Sequence, residues 1–154
     1  MMSDLDAMNL LLAEIAAAND GANHESYYVL DTLPTAGSLK LALDAYFAAM
    51  RTSLSPPQSA EQWNIRVTEW TDAQARLRAA AQHWFYEQEF SPIVNKNTAE
   101  QTLTAFMTRL KSIVGKSRVF EVNVDPPMWY ECAWQDFAFD RGANRWLLHF
   151  GFSD

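Results

Sequence analysis

The residues able to do chemistry are few. His24, His83 and His149 are the only histidines and Cys132 is the only cysteine. Hydrolytic metal sites draw two or more His or carboxylates onto one face. The nearest local pair is His83 with Glu87, one helical turn apart, a spacing that solvated helix faces often show. His149 falls on the outward face of a predicted strand, where it can hydrogen-bond Glu131 or Gln135. Glu131, Asp136 and Asp140 lie along one strand, but a general acid/base pair needs a cleft that drives the two pKa values apart. No Ser sits in a nucleophile-elbow context, and five glycines leave little room for a phosphate cradle. Contact chemistry is therefore expected, with no catalytic residue, no metal and no cofactor. An exposed Trp beside acids is the kind of group that anchors an interface. Trp129 has the parity for that role, opposite Tyr130, Cys132 and Trp134. The expected partner-binding set is Trp129, Glu131, Asp136, Asp140 and His149, joined by Glu25 and Asp31.

Charge narrows the partner. The chain has 154 residues and a formal charge of −7, which speaks against a nucleic-acid face because phosphate contacts need a basic surface. Residues 1–50 hold seven acids against Lys40, residues 51–118 nine cations against six acids, and residues 119–154 six acids against two arginines. Acidic ends around a basic middle can complement each other within one domain, or form an acidic surface for a basic protein partner. A homodimer is a further way to cover exposed apolar area. The lone thiol excludes an intrachain disulfide. The leading residues carry Asp4, Asp6 and Glu14 and no apolar run long enough to cross a bilayer, so the expected location is the cytoplasm, with no membrane partner.

The elements that must position these residues follow from periodicity. Leu5, Met8, Leu11, Leu12 and Ile15 recur at helical spacing behind Ser3, an N-cap candidate. From Gly21 to Gly37 the signals are mixed: a candidate binding loop in which 25–31 can form a short strand. Ser38 opens a second helix with Leu39, Leu43, Tyr46, Phe47 and Met50 on its buried face. Ser59–Gln62 fits a capping box, and Trp63, Val67, Trp70, Leu77, Ala81 and Trp84 follow at helical spacing. That predicts a helix over 60–89, continuous or bent near Thr71. A last helix opens at a box on Thr98, carries Leu103, Phe106, Leu110 and Ile113, and stops at Gly115.

Beyond Lys116 the period becomes two. Phe120, Val122 and Val124 define a strand. The apolar phase slips at Gln135 and Asp136, between Trp134 and Phe137, which a bulge would absorb. A hairpin turn at Asp140–Asn144 leads to a strand with Trp146, Leu148, Phe150 and Phe152 inward. The expected fold is α+β in a single domain, 1–154. About four helices occupy residues 1–116, followed by a C-terminal three-stranded antiparallel meander over residues 118–153, with the helices against one face.

The stretch WYECAWQDFAFDRGANRWLLHFGFSD, Trp129 to Asp154, resembles the C-terminal sheet of small acidic bacterial proteins of the immunity class, which neutralise toxins delivered between competing bacteria. The resemblance rests on an aromatic strand pattern and carries over no binding residue. It implies a non-enzymatic protein-interaction module that binds and occludes a basic toxin. Two other readings stand beside it. One is a small-molecule-binding or sensory domain with a pocket between helices and sheet, lined by Tyr46, Trp84, Trp134 and Phe150. The other is an enzyme, which would need two titratable groups converging in one cleft.

Overall fold

The computed structural model describes residues 1–50, 63–126 and 130–153. The chain runs α1 (Asp4–Ala18), β1 (Glu25–Thr32), α2 (Leu39–Met50), β2 (Asn64–Trp70), α3 (Ala73–Tyr86), α4 (Lys96–Val114), β3 (Arg118–Asp125), β4 (Ala133–Asp140) and β5 (Arg145–Ser153). Local chemistry sets several of these ends. Ser3 accepts from the Asp6 N–H at 3.1 Å while Asp6 accepts from the Ser3 N–H at 3.3 Å, a reciprocal cap for α1. Asn95, and not Thr98, caps α4, its side chain accepting from the Thr98 N–H at 2.8 Å. Gly115, at φ 56, ends that helix as expected.

The described strands form one five-stranded antiparallel sheet in the order β1-β5-β4-β3-β2. The C-terminal meander β3-β4-β5 is its centre, and the expectation of three strands is corrected by two edge strands from earlier in the chain. β1 replaces the mixed stretch around 25–31 and pairs with β5. β2 replaces the first third of the helix expected over 60–89. Trp63, Val67 and Trp70 fit helical spacing, but Ile65, Val67 and Thr68 are β-branched and stiff at χ1. Pairing with β3, from Asn64↔Asp125 to Trp70↔Val119, gives the segment a ladder. Helix α3 then starts afresh after Asp72, whose side chain makes no capping bond. The capping box expected at Ser59 lies outside the described residues.

Helices cover both faces of the sheet, not one. Side chains alternate across a strand, so Tyr28, Leu30, Phe137, Phe139, Trp146, Leu148 and Phe150 pack with α1, α3 and α4. Ile65, Phe120, Val122, Val124, Ala138 and Leu147 turn the other way and pack with Leu39, Leu43 and Phe47 of α2. This two-sided burial removes the need for the expected bulge. The β4–β5 ladder is unbroken through Gln135 and Asp136, and the β3–β4 ladder runs in one register from Arg118↔Asp140 to Val122↔Asp136. The apolar phase slips because the core changes side, not because the strand does. It also explains the aromatic density, since each face of the central strands needs its own packing layer.

Polar side chains tie the helices to the sheet edges. The Asn9 amide of α1 accepts from the Leu30 N–H at 2.8 Å and donates to the Leu30 carbonyl at 3.0 Å, covering the open side of edge strand β1. Asn19, fully buried, donates to the Ile15 and Phe85 carbonyls and accepts from the Ser91 hydroxyl. Trp84 donates its indole N–H to Gln135, whose amide donates to Glu121.

Candidate functional site

On the α2 side of the sheet the strand register places Asp136 of β4 directly opposite His149 of β5. Their side chains meet at 2.6 Å, Nδ1 to Oδ1. The segment that precedes β4 folds back over this pair, so that Glu131 Oε1 lies 2.8 Å from His149 Nε2. Gly151, two residues beyond His149 and on the same face, makes the slot for it. A Cβ at that position would stand 1.5 Å from Glu131 Oε2. Tyr130 donates its hydroxyl to Asp136 Oδ2 at 3.4 Å, with its oxygen 3.2 Å from His149 Nδ1. From α2, Tyr46 donates to Asp31 Oδ2 of β1 at 2.5 Å. The Tyr27 ring stands 5.7 Å from the His149 ring and is 55% exposed.

Electrostatics hold the imidazole charged. Burial pulls its pKa down, but Asp136 and then Glu131 outweigh burial and raise it to about 10. Both ring nitrogens therefore carry protons at neutral pH, and each is committed to a carboxylate. A ring in that state has no lone pair for a metal or for general-base work. Burial, reinforced by Asp136 and Glu131, pushes the Tyr130 phenol far above its usual range. Burial and the bond to Asp31 do the same to Tyr46. Tyr27 is raised too, by burial and then by Asp31 and Glu131. One imidazolium thus sits between Glu131 and Asp136 with Tyr130 beside it, and Asp31 adjoins this group through Tyr46 and Tyr27. Glu131 Oε2 is buried with no hydrogen-bond partner among the described residues.

Of the residues singled out from sequence, the structure brings Asp31, Glu131, Asp136 and His149 together. Asp136 and His149 are buried, at 0% and 3% exposure. The outward placement expected for His149 is corrected, because α2 and the segment around Tyr130 cover that side of the sheet. Its hydrogen bond to Glu131 is as expected, whereas Gln135 points to the opposite face. Glu25 is exposed at the far end of β1, opposite Ser153. Asp140 belongs to the hairpin, where it accepts from Arg145 Nε and the Gly142 N–H, both at 2.9 Å. Trp129 lies outside the described residues. Tyr27, Tyr46 and Tyr130 complete the cluster and were not expected in it. Tyr130 and Tyr46 read as core residues on one side of a one-sided sheet, and only the alternation of β1 could have marked Tyr27.

The other histidines stay apart. His83 is an exposed side chain 3.9 Å from Glu87, and His24 lies against Phe90 and Phe152 with Nε2 3.2 Å from Ser26 Oγ. No group of three or more His, Cys, Asp or Glu suited to a metal occurs among the described residues. The pocket expected between Tyr46, Trp84, Trp134 and Phe150 does not form. Trp84 and Phe150 lie in the α1/α3/α4 layer, while Tyr46 packs in the α2 layer and Trp134 meets Tyr130 edge-on there. The sheet separates the two pairs.

The fold therefore defines an α+β protein in which, among the described residues, one antiparallel sheet lies between a layer of three helices and a layer of one. Citrus MAF1 has a similar fold across the whole chain. In its C 2 2 21 crystal form the TM-score is 0.55 at 11% identity, covering 97% of this chain and 98% of that one. In the P 31 2 1 form the values are 0.53 at 14% identity, with 98% and 99% covered. No protein-family model and no curated protein matches the sequence. No helix among the described residues is long and apolar enough to cross a membrane.

Proposed function

We propose that the chain is a non-enzymatic interaction module of the immunity type, acting in the cytoplasm, which binds a basic partner toxin and occludes it. The observation that supports this reading is the gathering of three carboxylates around one imidazolium, Glu131 and Asp136 bonded to it and Asp31 held by Tyr46, beside an exposed Tyr27. That arrangement leaves an excess of negative charge under a surface aromatic. A lysine or arginine of the partner would find a favourable field there, and opposite charge speeds encounter more than it strengthens the final complex. Tyr27 supplies the desolvated anchor that such interfaces use. Because His149 is locked between two carboxylates, the site is suited to recognition and not to proton transfer.

The test is co-purification with the product of the neighbouring gene, followed by calorimetry at rising salt. Tyr27→Ala should weaken the complex by about 2 kcal/mol, roughly thirtyfold, and the association rate should fall steeply with salt. Absence of binding to any co-encoded toxin, together with no protection of cells expressing it, would sink the proposal.

A further inference from the structure

Four of the twelve Lys and Arg residues of this acidic chain gather at one end of the sheet. There Lys116, Arg118, Asp140, Arg141, Gly142 and Arg145 line a cleft of about 540 Å³. It lies beyond the β4–β5 hairpin, four residues along β5 from His149 and so roughly 13 Å from the acidic cluster.

Arg145 is the most firmly built element of the site. Its side chain is only 10% exposed. Asp140 takes its Nε at 2.9 Å and the Ala36 carbonyl takes Nη1 at 2.8 Å, while Nη2 makes no hydrogen bond among the described residues. Arg118 is held by Glu69 through two bonds, at 3.0 and 2.7 Å. Lys116 and Arg141 make no ion pair among the described residues. The Arg141 guanidinium lies across Gly115, where a Cβ would come within 3.0 Å of Nη1, so the end of α4 is shaped to let it approach. Two acids, Asp140 and Glu69, thus oppose four cations from three separate segments.

We infer that this cleft binds a small diphosphate anion, free or carried on a nucleotide. Guanidinium groups present paired N–H donors that match phosphate oxygens. The residual positive charge stands out in a chain of net −7. A cleft of about 540 Å³ lined from the α4–β3 link, the hairpin and the start of β5 has room for two linked phosphates, where a single phosphate would fill only part of it. This site is independent of the acidic face, and neither proposal depends on the other.

Calorimetric titration of the full chain with inorganic pyrophosphate, and separately with ADP, at about 0.15 M salt tests it. Arg141→Ala should lower pyrophosphate affinity about tenfold and the Lys116→Ala/Arg141→Ala pair about a hundredfold. Arg109→Ala, on the exposed face of α4, should leave it unchanged. Equal binding of pyrophosphate and ADP identifies the diphosphate alone as the ligand, and tighter ADP binding identifies a nucleotide. Both substituted residues are exposed and outside any ion pair among the described residues, so an unchanged melting temperature checks that the variants fold. No saturable heat with either anion, or the same affinity loss in Arg109→Ala as in Arg141→Ala, would overturn the inference.

Discussion

Gly151→Ala perturbs the acidic cluster through a single methyl group. The new Cβ would meet Glu131 Oε2 at 1.5 Å, Glu131 Cδ at 2.5 Å and His149 Nε2 at 2.8 Å. The carboxylate must leave its slot, breaking its 2.8 Å bond to His149. A charge-assisted hydrogen bond of this kind contributes about 1.5–3 kcal/mol. Replacing glycine by alanine within a strand returns about 0.5–1 kcal/mol. The expected net loss is about 1–2 kcal/mol, seen as a urea midpoint lower by roughly 0.5–1 M. The decisive comparison is the same substitution in a Glu131→Ala background. With the carboxylate already gone the main obstruction is removed, and Gly151→Ala should then be close to neutral. The coupling between the two positions should reach at least about 1 kcal/mol. If the two changes add to within about 0.5 kcal/mol, Gly151 is not the seat of Glu131 and the geometry proposed for the site is wrong.

Three further outcomes follow from the same structure. The His149 pKa, about 10 in the folded chain against 6.5 as the ordinary value, means that the folded state holds its proton more tightly. The stability this contributes is fully present below about pH 6.5 and is lost as pH rises through about 10, a fall of up to several kcal/mol. Urea midpoints measured across that range should drop in the wild type, and His149→Gln should flatten the profile. Nitrogen-15 spectra at about pH 8 should show both ring nitrogens protonated, and a neutral ring there would contradict the assignment. Asn19→Ala removes two buried hydrogen bonds, to the Ile15 and Phe85 carbonyls, and a part-buried one from Ser91, and should cost about 2–3 kcal/mol. Thermal melting would read this as a fall of several degrees, with an unchanged Tm counting against the clamp.

Much of the fold is readable from local pattern. The α1 cap at Ser3, the buried stripes of α2 and α4, the stop at Gly115 and the period-two run of β3 are each encoded within a few residues of where they act. The hairpin at residues 141–144 is equally local, with Gly142 at φ 78 as its left-handed residue. The segment Trp63–Trp70 shows where this reading fails, because its aromatic spacing fits a helix as well as a strand. Only the availability of β3 as a neighbour decides for the strand. The phase slip at Gln135 is ambiguous in the same way: with one covered face it requires a bulge, and with two it requires nothing.

The candidate site divides along the same line. The acidic and aromatic character of the C-terminal strands, the candidacy of Glu131, Asp136 and His149, and that of Asp31 in the loop all rest on residue type and parity. Their convergence does not. Asp31 joins because β1 crosses the chain to pair with β5, and Tyr46 joins because α2 packs on the face expected to be open. Asp140, chemically like its neighbours, is separated because the register carries it to the basic end beside Arg145. Sequence alone determined which side chains were available and which way each pointed along its own strand. The tertiary structure decided which of them share a face with a cover over it, because the cover over His149, and the carboxylates that keep it charged against the pull of burial, come from other elements of the chain.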